Sequence, residues 1–194
     1  MDETKTRFPL IGEPLAVDLV NTLLECEGGS VDLLATPERL SAWCEAEGGR
    51  LGVLDSGVVA GRLPEFLALR SAIRELFRAL LDNERPSERA VKEINATSAR
   101  VPSFRELSWS KTEDRRVGLR TSTRDLACDE AAVALAGIAR SAIELAGSPE
   151  RELLRSCPAP GCPLIFFAEN RRRRWCSTVC GNRVRVARHY RRHH

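Results

Sequence analysis

Four cysteines fall within 24 residues of this chain, spaced as Cys157-x4-Cys162, thirteen residues, then Cys176-x3-Cys180. Two close pairs of thiolates across a short connector are what tetrahedral zinc takes as ligands. The first pair brackets Pro-Ala-Pro-Gly, where proline and glycine force a tight turn that can aim both sulfurs inward. The second pair opens a helical run, and residues at i and i+4 share one helix face. Free amide groups and the dipole at a helix start also favour thiolates. Four thiolates close the coordination shell and leave no position for water. The spacing therefore predicts one structural Zn2+ on Cys157, Cys162, Cys176 and Cys180, not a catalytic metal. An iron–sulfur cluster fits a hairpin-and-helix scaffold less well. Cys26, Cys44 and Cys128 fall singly on apolar helical patterns and are expected to be small buried hydrophobes.

The cysteine segment is also where the positive charge collects. Residues 151–194 carry eleven arginines against two glutamates, while residues 1–150 carry nineteen basic and twenty-five acidic side chains. A mildly acidic body with a basic end reads as two functional parts. Arg171, Arg172, Arg173 and Arg174 immediately precede Trp175 and Cys176. In the final helical run Arg185, Arg188 and Arg192 share a face, and Val179, Val186, Ala187 and Tyr190 are expected to share a packed one. Guanidinium groups beside a rigid metal knot suit phosphate contact and can read guanine edges. These seven arginines and Arg183 are the candidate nucleic-acid contacts, with DNA the expected partner. Trp175 and Tyr190 have faces that can stack on bases, although core packing is the expected duty of Trp175. An enzyme such as a metal-dependent nuclease would need a catalytic histidine and an open metal site. The three histidines all follow the last cysteine, and the segment has no aspartate, so no catalytic residues are assigned. A non-enzymatic adaptor for protein or RNA is the alternative.

The rest of the chain must carry and place this module. Apolar residues at 15, 16, 19, 20, 23 and 24 predict a helix ended by Gly28–Gly29. Thr36-Pro37-Glu38 starts a short helix, and residues 63–83 form the strongest amphipathic pattern. A further helix follows Pro86-Ser87. Alternating segments around 103–122 predict a β-hairpin, and 124–147 an Ala-rich helix stopped by Gly-Ser-Pro. After the first cysteine pair, 164–169 reads as a strand and 170–175 as a turn and returning strand. The predicted fold is mostly α (α+β): a helical domain with a small hairpin over residues 1–150, then a treble-clef-like zinc finger over 151–194. No apolar run approaches the ~20 residues of a membrane helix. The first ten residues have no apolar stretch of the secretory type. A cytoplasmic protein without membrane contact is expected.

The segment Arg173-Arg174-Trp175-Cys176 through Cys180-Gly181-Asn182-Arg183, with its arginine-rich helix, resembles the CGNR zinc finger, which is named for that tetrapeptide. Pro14-Leu-Ala-Val-Asp-Leu-Val-Asn-Thr-Leu23 is similar to the opening of the ABATE domain that precedes such fingers. Many members have one more residue between the last two cysteines. The resemblance implies a bacterial, stress-related transcription regulator whose finger binds DNA. It also marks Asp18, Asn21 and Thr22 as motif residues. These three, with Arg70 and Arg74 on one face of the long helix, are candidate contacts for a small-molecule effector, weighed against service as buried hydrogen-bonders. A homodimer would be formed by the helical domain, since two basic fingers repel. Gly181 is expected to allow close approach of sulfur or phosphate, Asn182 to bond a ligand sulfur or cap the turn, and Arg183 to brace the fold or reach phosphate.

Overall fold

The computed structural model describes residues 8–9, 12–26, 28–52, 54–111, 117–127, 129–170 and 172–193. Helix α1 spans Leu15–Val20 and buries Ala16, Val17, Leu19 and Val20. It does not continue to Gly28 as the apolar stripe suggested. Leu23–Cys26 (β1) turns back on Gly29–Asp32 (β2) as an antiparallel hairpin. The helix ends because its last carbonyls are taken by other donors. Thr22 Oγ1 donates to Leu19 O at 2.6 Å, and Arg74 Nη1 reaches Val20 O at 3.3 Å and Leu23 O at 2.7 Å. Cys26 is consequently exposed at the hairpin end instead of buried, whereas Cys44 is buried as expected. Cys128 lies outside the described residues.

Pro37–Ala46 (α2) follows a Thr36 cap that accepts from Arg39 N. Two short helices, Gly48–Leu51 (α3) and Ser56–Ala60 (α4), lead to the long Leu63–Asp82 helix (α5). α5 stops at Asn83, whose φ of 55° is left-handed. Glu88–Ala99 (α6) is capped by Ser87. Ser103–Lys111 (β3) and Val117–Asp125 (β4) form an antiparallel ribbon, and the residues between them lie outside those described. Glu130–Gly147 (α7) starts at its Asp129 cap, later than the pattern suggested, because Arg124 and Asp125 belong to β4. A 3-10 turn at Pro149–Leu153, capped by Ser148, feeds Leu154–Ser156 (β5), Ile165–Phe167 (β6) and Thr178–His193 (α8). The fold is mostly α with small antiparallel sheets. β6 pairs with β5. The described part of 170–175 is loop, so the returning strand expected there is absent; Asn170 turns the chain instead, accepting from Arg172 N at 2.9 Å.

The main core is built from α1, α2, α5 and α7. Phe66, Leu69, Ile73 and Phe77 of α5 meet Leu135 and Ile138 of α7. Trp43 sits edge-on to Phe66 with ring centroids 6.4 Å apart. Alternation along β6 joins this core to the finger. Ile165 and Phe167 face the helices, and Phe166 faces the cysteines with Ala159 and Ala168. Among the described residues, no helix is long and apolar enough to cross a membrane.

Candidate metal centre and basic surface

The first cysteine pair sits on a turn whose shape the sequence dictates. Cys162 N donates to Ala159 O at 3.0 Å, with Pro160 and Gly161 as the central residues. Gly161 has φ of 67°, which a type II turn demands at that position and which glycine adopts without strain. Cys157 N bonds Leu164 O at 2.9 Å and closes the loop. The second pair straddles the start of α8. Ser177 Oγ accepts from Cys180 N at 3.3 Å and Ser177 O from Gly181 N at 3.1 Å. Cys176 thus precedes the helix, and Cys180 lies in its first turn.

All four sulfurs lie within 4.8 Å of one another. Cys162 Sγ is 3.7 Å from Cys176 Sγ, which is 3.5 Å from Cys180 Sγ. Four thiolates about 2.3 Å from a tetrahedral zinc have sulfurs about 3.8 Å apart. Three of the four cysteines are buried, and Cys162 is half-buried. The donors fit the ion, and the group could bind one zinc. Burial pushes the Cys162 thiol up to about 11 and raises Cys176 further. For Cys157 burial acts the same way, but hydrogen bonds from the backbone of Cys176 and Ala159 and from the Cys176 and Cys162 thiols together outweigh it and hold it below the ordinary thiol value. Zinc therefore displaces protons as it binds, and its affinity falls with falling pH.

The arginines around this centre divide by role. Arg173 is built into the fold. It donates to Phe167 O at 3.1 Å and Cys176 O at 2.8 Å, pairs with Glu13, and lies 5.1 Å above the Phe166 ring. Arg183 ties the helix to the first turn through Pro160 O at 3.0 Å, and Arg185 bonds Asn182 Oδ1 at 2.8 Å. Arg172, Arg174 and Arg188 are exposed, and their guanidinium groups have no partner among the described residues. Arg171 and the Arg192 side chain lie outside those described. Gly181 accommodates an indole: a Cβ there would stand 3.2 Å from Trp175 Cε3. Trp175 is half-buried against the cysteine cluster, in agreement with its expected packing duty. The packed face of α8 is Cys180, Gly181 and Val184. Val179, Val186 and Tyr190, expected inside, are 65%, 54% and 61% exposed, because α8 turns its Val184 side to the cysteine cluster.

One motif residue of the helical domain, Asn21, holds the finger, together with Glu13. Asn21 Nδ2 donates to Ile165 O at 2.7 Å, and Asn21 Oδ1 accepts from Ile165 N at 3.0 Å. Glu13 Oε2 accepts from Phe167 N at 2.8 Å and its other oxygen holds Arg173. These two side chains occupy the free edge of β6 as a neighbouring strand would. Thr22 and Asp32 receive Arg70, the latter in a bidentate pair at 2.6 Å. Arg74 adds an ion pair to Glu25 at 2.9 Å. The hydrogen bonds from these arginines keep the Asp32 and Glu25 carboxyls below the usual range. None of Asp18, Asn21, Thr22, Arg70 and Arg74 lines the cavity of about 420 Å3 bounded by Leu15, Arg50, Asp125, Val133, Arg140 and Ser141.

Asp18 is buried beside Glu47, and both carboxylates bond Arg50. Gly12 N reaches Asp18 Oδ2 at 3.0 Å, while Asp18 Oδ1 and Glu47 Oε1 have no partner among the described residues. Burial, opposed by Arg50 and reinforced by the Glu47 charge, pushes Asp18 up to about 8 from 3.8. Between those values the folded chain keeps a proton that the unfolded chain has released, so this group's contribution to stability falls as pH rises. Asp18→Asn should gain in melting temperature over the parent protein as pH climbs from 4.5 to about 8. Parallel thermal melts with saturating zinc would check this, and a difference independent of pH would contradict it.

Glu13, Asp32, Glu47 and Arg50 carry much of this geometry and were not identified in the sequence, because no periodicity marks a partner dozens of residues away. Residues 154–193 match the CGNR zinc finger family. Residues 13–149 match the ABATE family, described as "Putative stress-induced transcription regulator". No curated protein matches the chain. With most of its length under the first match and its cysteine cluster under the second, the chain belongs to the ABATE family and ends in a CGNR zinc finger.

Proposed function

We propose that this protein is a transcription regulator that binds DNA through the zinc-tied finger, while its helical domain senses a ligand or mediates oligomerisation. The observation that carries the reading is the division among the arginines. Arg173 and Arg183 brace the metal centre, whereas Arg172, Arg174 and Arg188 stand exposed beside it with no acid among the described residues to neutralise them. Held on a rigid support, they cost little entropy to align on phosphates. Arg185, Arg171 and Arg192 extend the same basic surface in sequence. The closed thiolate shell gives zinc a structural role, and four thiols kept available for a metal suit a reducing cytoplasm. For an effector, the cavity between α7 and the base of the β3–β4 ribbon is better placed than Asp18, Asn21, Thr22, Arg70 and Arg74, which are engaged in internal bonds.

The test is a salt series of duplex binding by zinc-loaded protein. Each phosphate contact contributes about −0.9 to the slope of log K against log salt. Arg174→Ala with Arg188→Ala should flatten the slope by about 2 with folding intact. An unchanged slope would remove these arginines from the interface. The exposed Val179 and Val186 favour a second reading, an adaptor that docks on protein or RNA. Single-stranded RNA outcompeting duplex DNA would bring that reading forward.

A further inference from the structure

The β3–β4 ribbon presents one bare apolar face. Its register sets Trp109 opposite Leu119 and Leu107 opposite Thr121. Strand alternation then places Arg105, Leu107, Trp109, Leu119, Thr121 and Thr123 on one side. Glu106, Ser108, Arg120, Ser122 and Arg124 fall on the other with Phe104. Leu107, Trp109 and Leu119 are 71%, 63% and 65% exposed. The opposite side carries a cross-strand pair of Arg124 with Glu106 at 3.1 Å. Such alternation is the mark of a sheet with one face in water and one covered.

Nothing in the described chain covers it. β3 and β4 pair with each other, and neither packs extensively on another element. A two-stranded ribbon of this length is marginal without a third layer. Its base, however, is fixed. Arg140 of α7 reaches Asp125 at 2.6 Å and Val101 O at 3.1 Å, and Leu126 N bonds Pro102 O at 2.9 Å. The ribbon is therefore an arm held firmly at its root, with its greasy side outward.

We propose that this face is a dimer interface, covered by the same face of a second copy of the chain. The area argues for that occupant. An exposed Trp and two exposed Leu leave on the order of 400 Å2 of apolar side chain bare. That lies within the range of the largest patches on monomers, which are often functional. Pairing two such faces buries about 800 Å2 of apolar surface. At the roughly 65% apolar share of homodimer interfaces, this implies about 1,200 Å2 in total, the lower bound of a stable association. The face is rimmed by Thr121, Thr123 and Arg105, and the acid at its root, Asp125, is held by Arg140. A two-fold axis near the Trp109–Leu119 pair, away from the cavity at the root of the ribbon, brings each tryptophan against aliphatic surface of its mate. The inference involves no residue of the finger and stands or falls independently of DNA binding.

Sedimentation velocity of the zinc-loaded full chain, without nucleic acid and at micromolar concentrations, tests it. The expected species is twice the 21.5 kDa chain mass. Trp109→Lys should weaken dimerisation by about 30-fold or more, as loss of a central aromatic anchor does. Ser108→Lys, on the opposite face, should leave it unchanged. Should Trp109→Lys fail to fold, hydrogen exchange on the unsubstituted protein gives the same answer, since amides of 105–109 and 119–123 should gain protection as concentration rises. A monomer throughout, or exchange that ignores concentration, overturns the proposal. So does a monomer that binds anionic lipid vesicles through Trp109, which would assign the face to a membrane surface.

Discussion

Stripping the metal with a chelator, or replacing Cys180 by Ser, is expected to melt the finger while the helical body stays folded. The second core consists of Cys157, Ala159, Phe166, Ala168, Cys176 and Cys180, so half of its members are the ligands themselves. Without a metal, burial favours protonated thiols, and neutral thiols supply no cross-link between the first turn and α8. Structural zinc contributes about 10–16 kcal/mol of apparent binding free energy in small fingers, and here that is folding free energy. The main core keeps Phe66, Leu69, Ile73, Phe77, Leu135 and Ile138 whatever the metal does. Hydrogen exchange should therefore show lost protection in α8 and the cysteine turns, with α5 and α7 unaffected. Protection of α8 that survives chelation would contradict the structural role of zinc.

Asn21→Ala is expected to be the most damaging substitution outside the cysteines that removes no apolar packing. Its side chain satisfies both the N–H and the C=O of Ile165, and Asn21 is only 2% exposed. Leaving a buried donor and a buried acceptor unpaired costs about 1–3 kcal/mol each. A total of about 2–6 kcal/mol would remove a large part of the stability of an ordinary domain. Asn21→Asp retains the acceptor for Ile165 N–H but sets a carboxyl oxygen against Ile165 O, so it should not recover the lost stability. Urea unfolding of zinc-loaded protein provides the measurement. An Asn21→Ala variant as stable as the parent would mean that the dock contributes nothing.

What was legible in the sequence followed from local rules. The cysteine spacing, the Pro160–Gly161 turn, the Thr36 and Ser87 caps and the amphipathic period of α5 each depend on neighbours a few residues away. The failures occurred where distant partners decide. The stripe at Leu15, Ala16, Leu19, Val20, Leu23 and Leu24 satisfies a helical period, yet Arg74, 50 residues and more along the chain, takes the carbonyls that would have continued the helix. The polar residues of the motif were visible as buried hydrogen-bonders, but not what they bond. Glu13 and Asn21 meet backbone 154 and 144 residues away. The faces of α8 were misassigned for a related reason. Apolar residues at 179, 186 and 190 share a helix face, and sequence alone does not reveal that α8 turns its Cys180, Gly181 and Val184 side to the cysteine cluster instead. Arg183 carries both a local and a distant signal: its place in the tetrapeptide is legible, whereas its bond to Pro160 O required the fold.

In the proposed function, zinc shapes a basic surface that grips DNA phosphates. Fluorescence anisotropy of a labelled duplex, titrated with zinc-loaded full-length protein at several salt concentrations beside a chelated aliquot, tests it most directly. The account predicts affinity that falls steeply with salt and is lost with the metal, then returns when zinc is restored. Binding that is absent even at low salt, or equally strong after chelation, would contradict it.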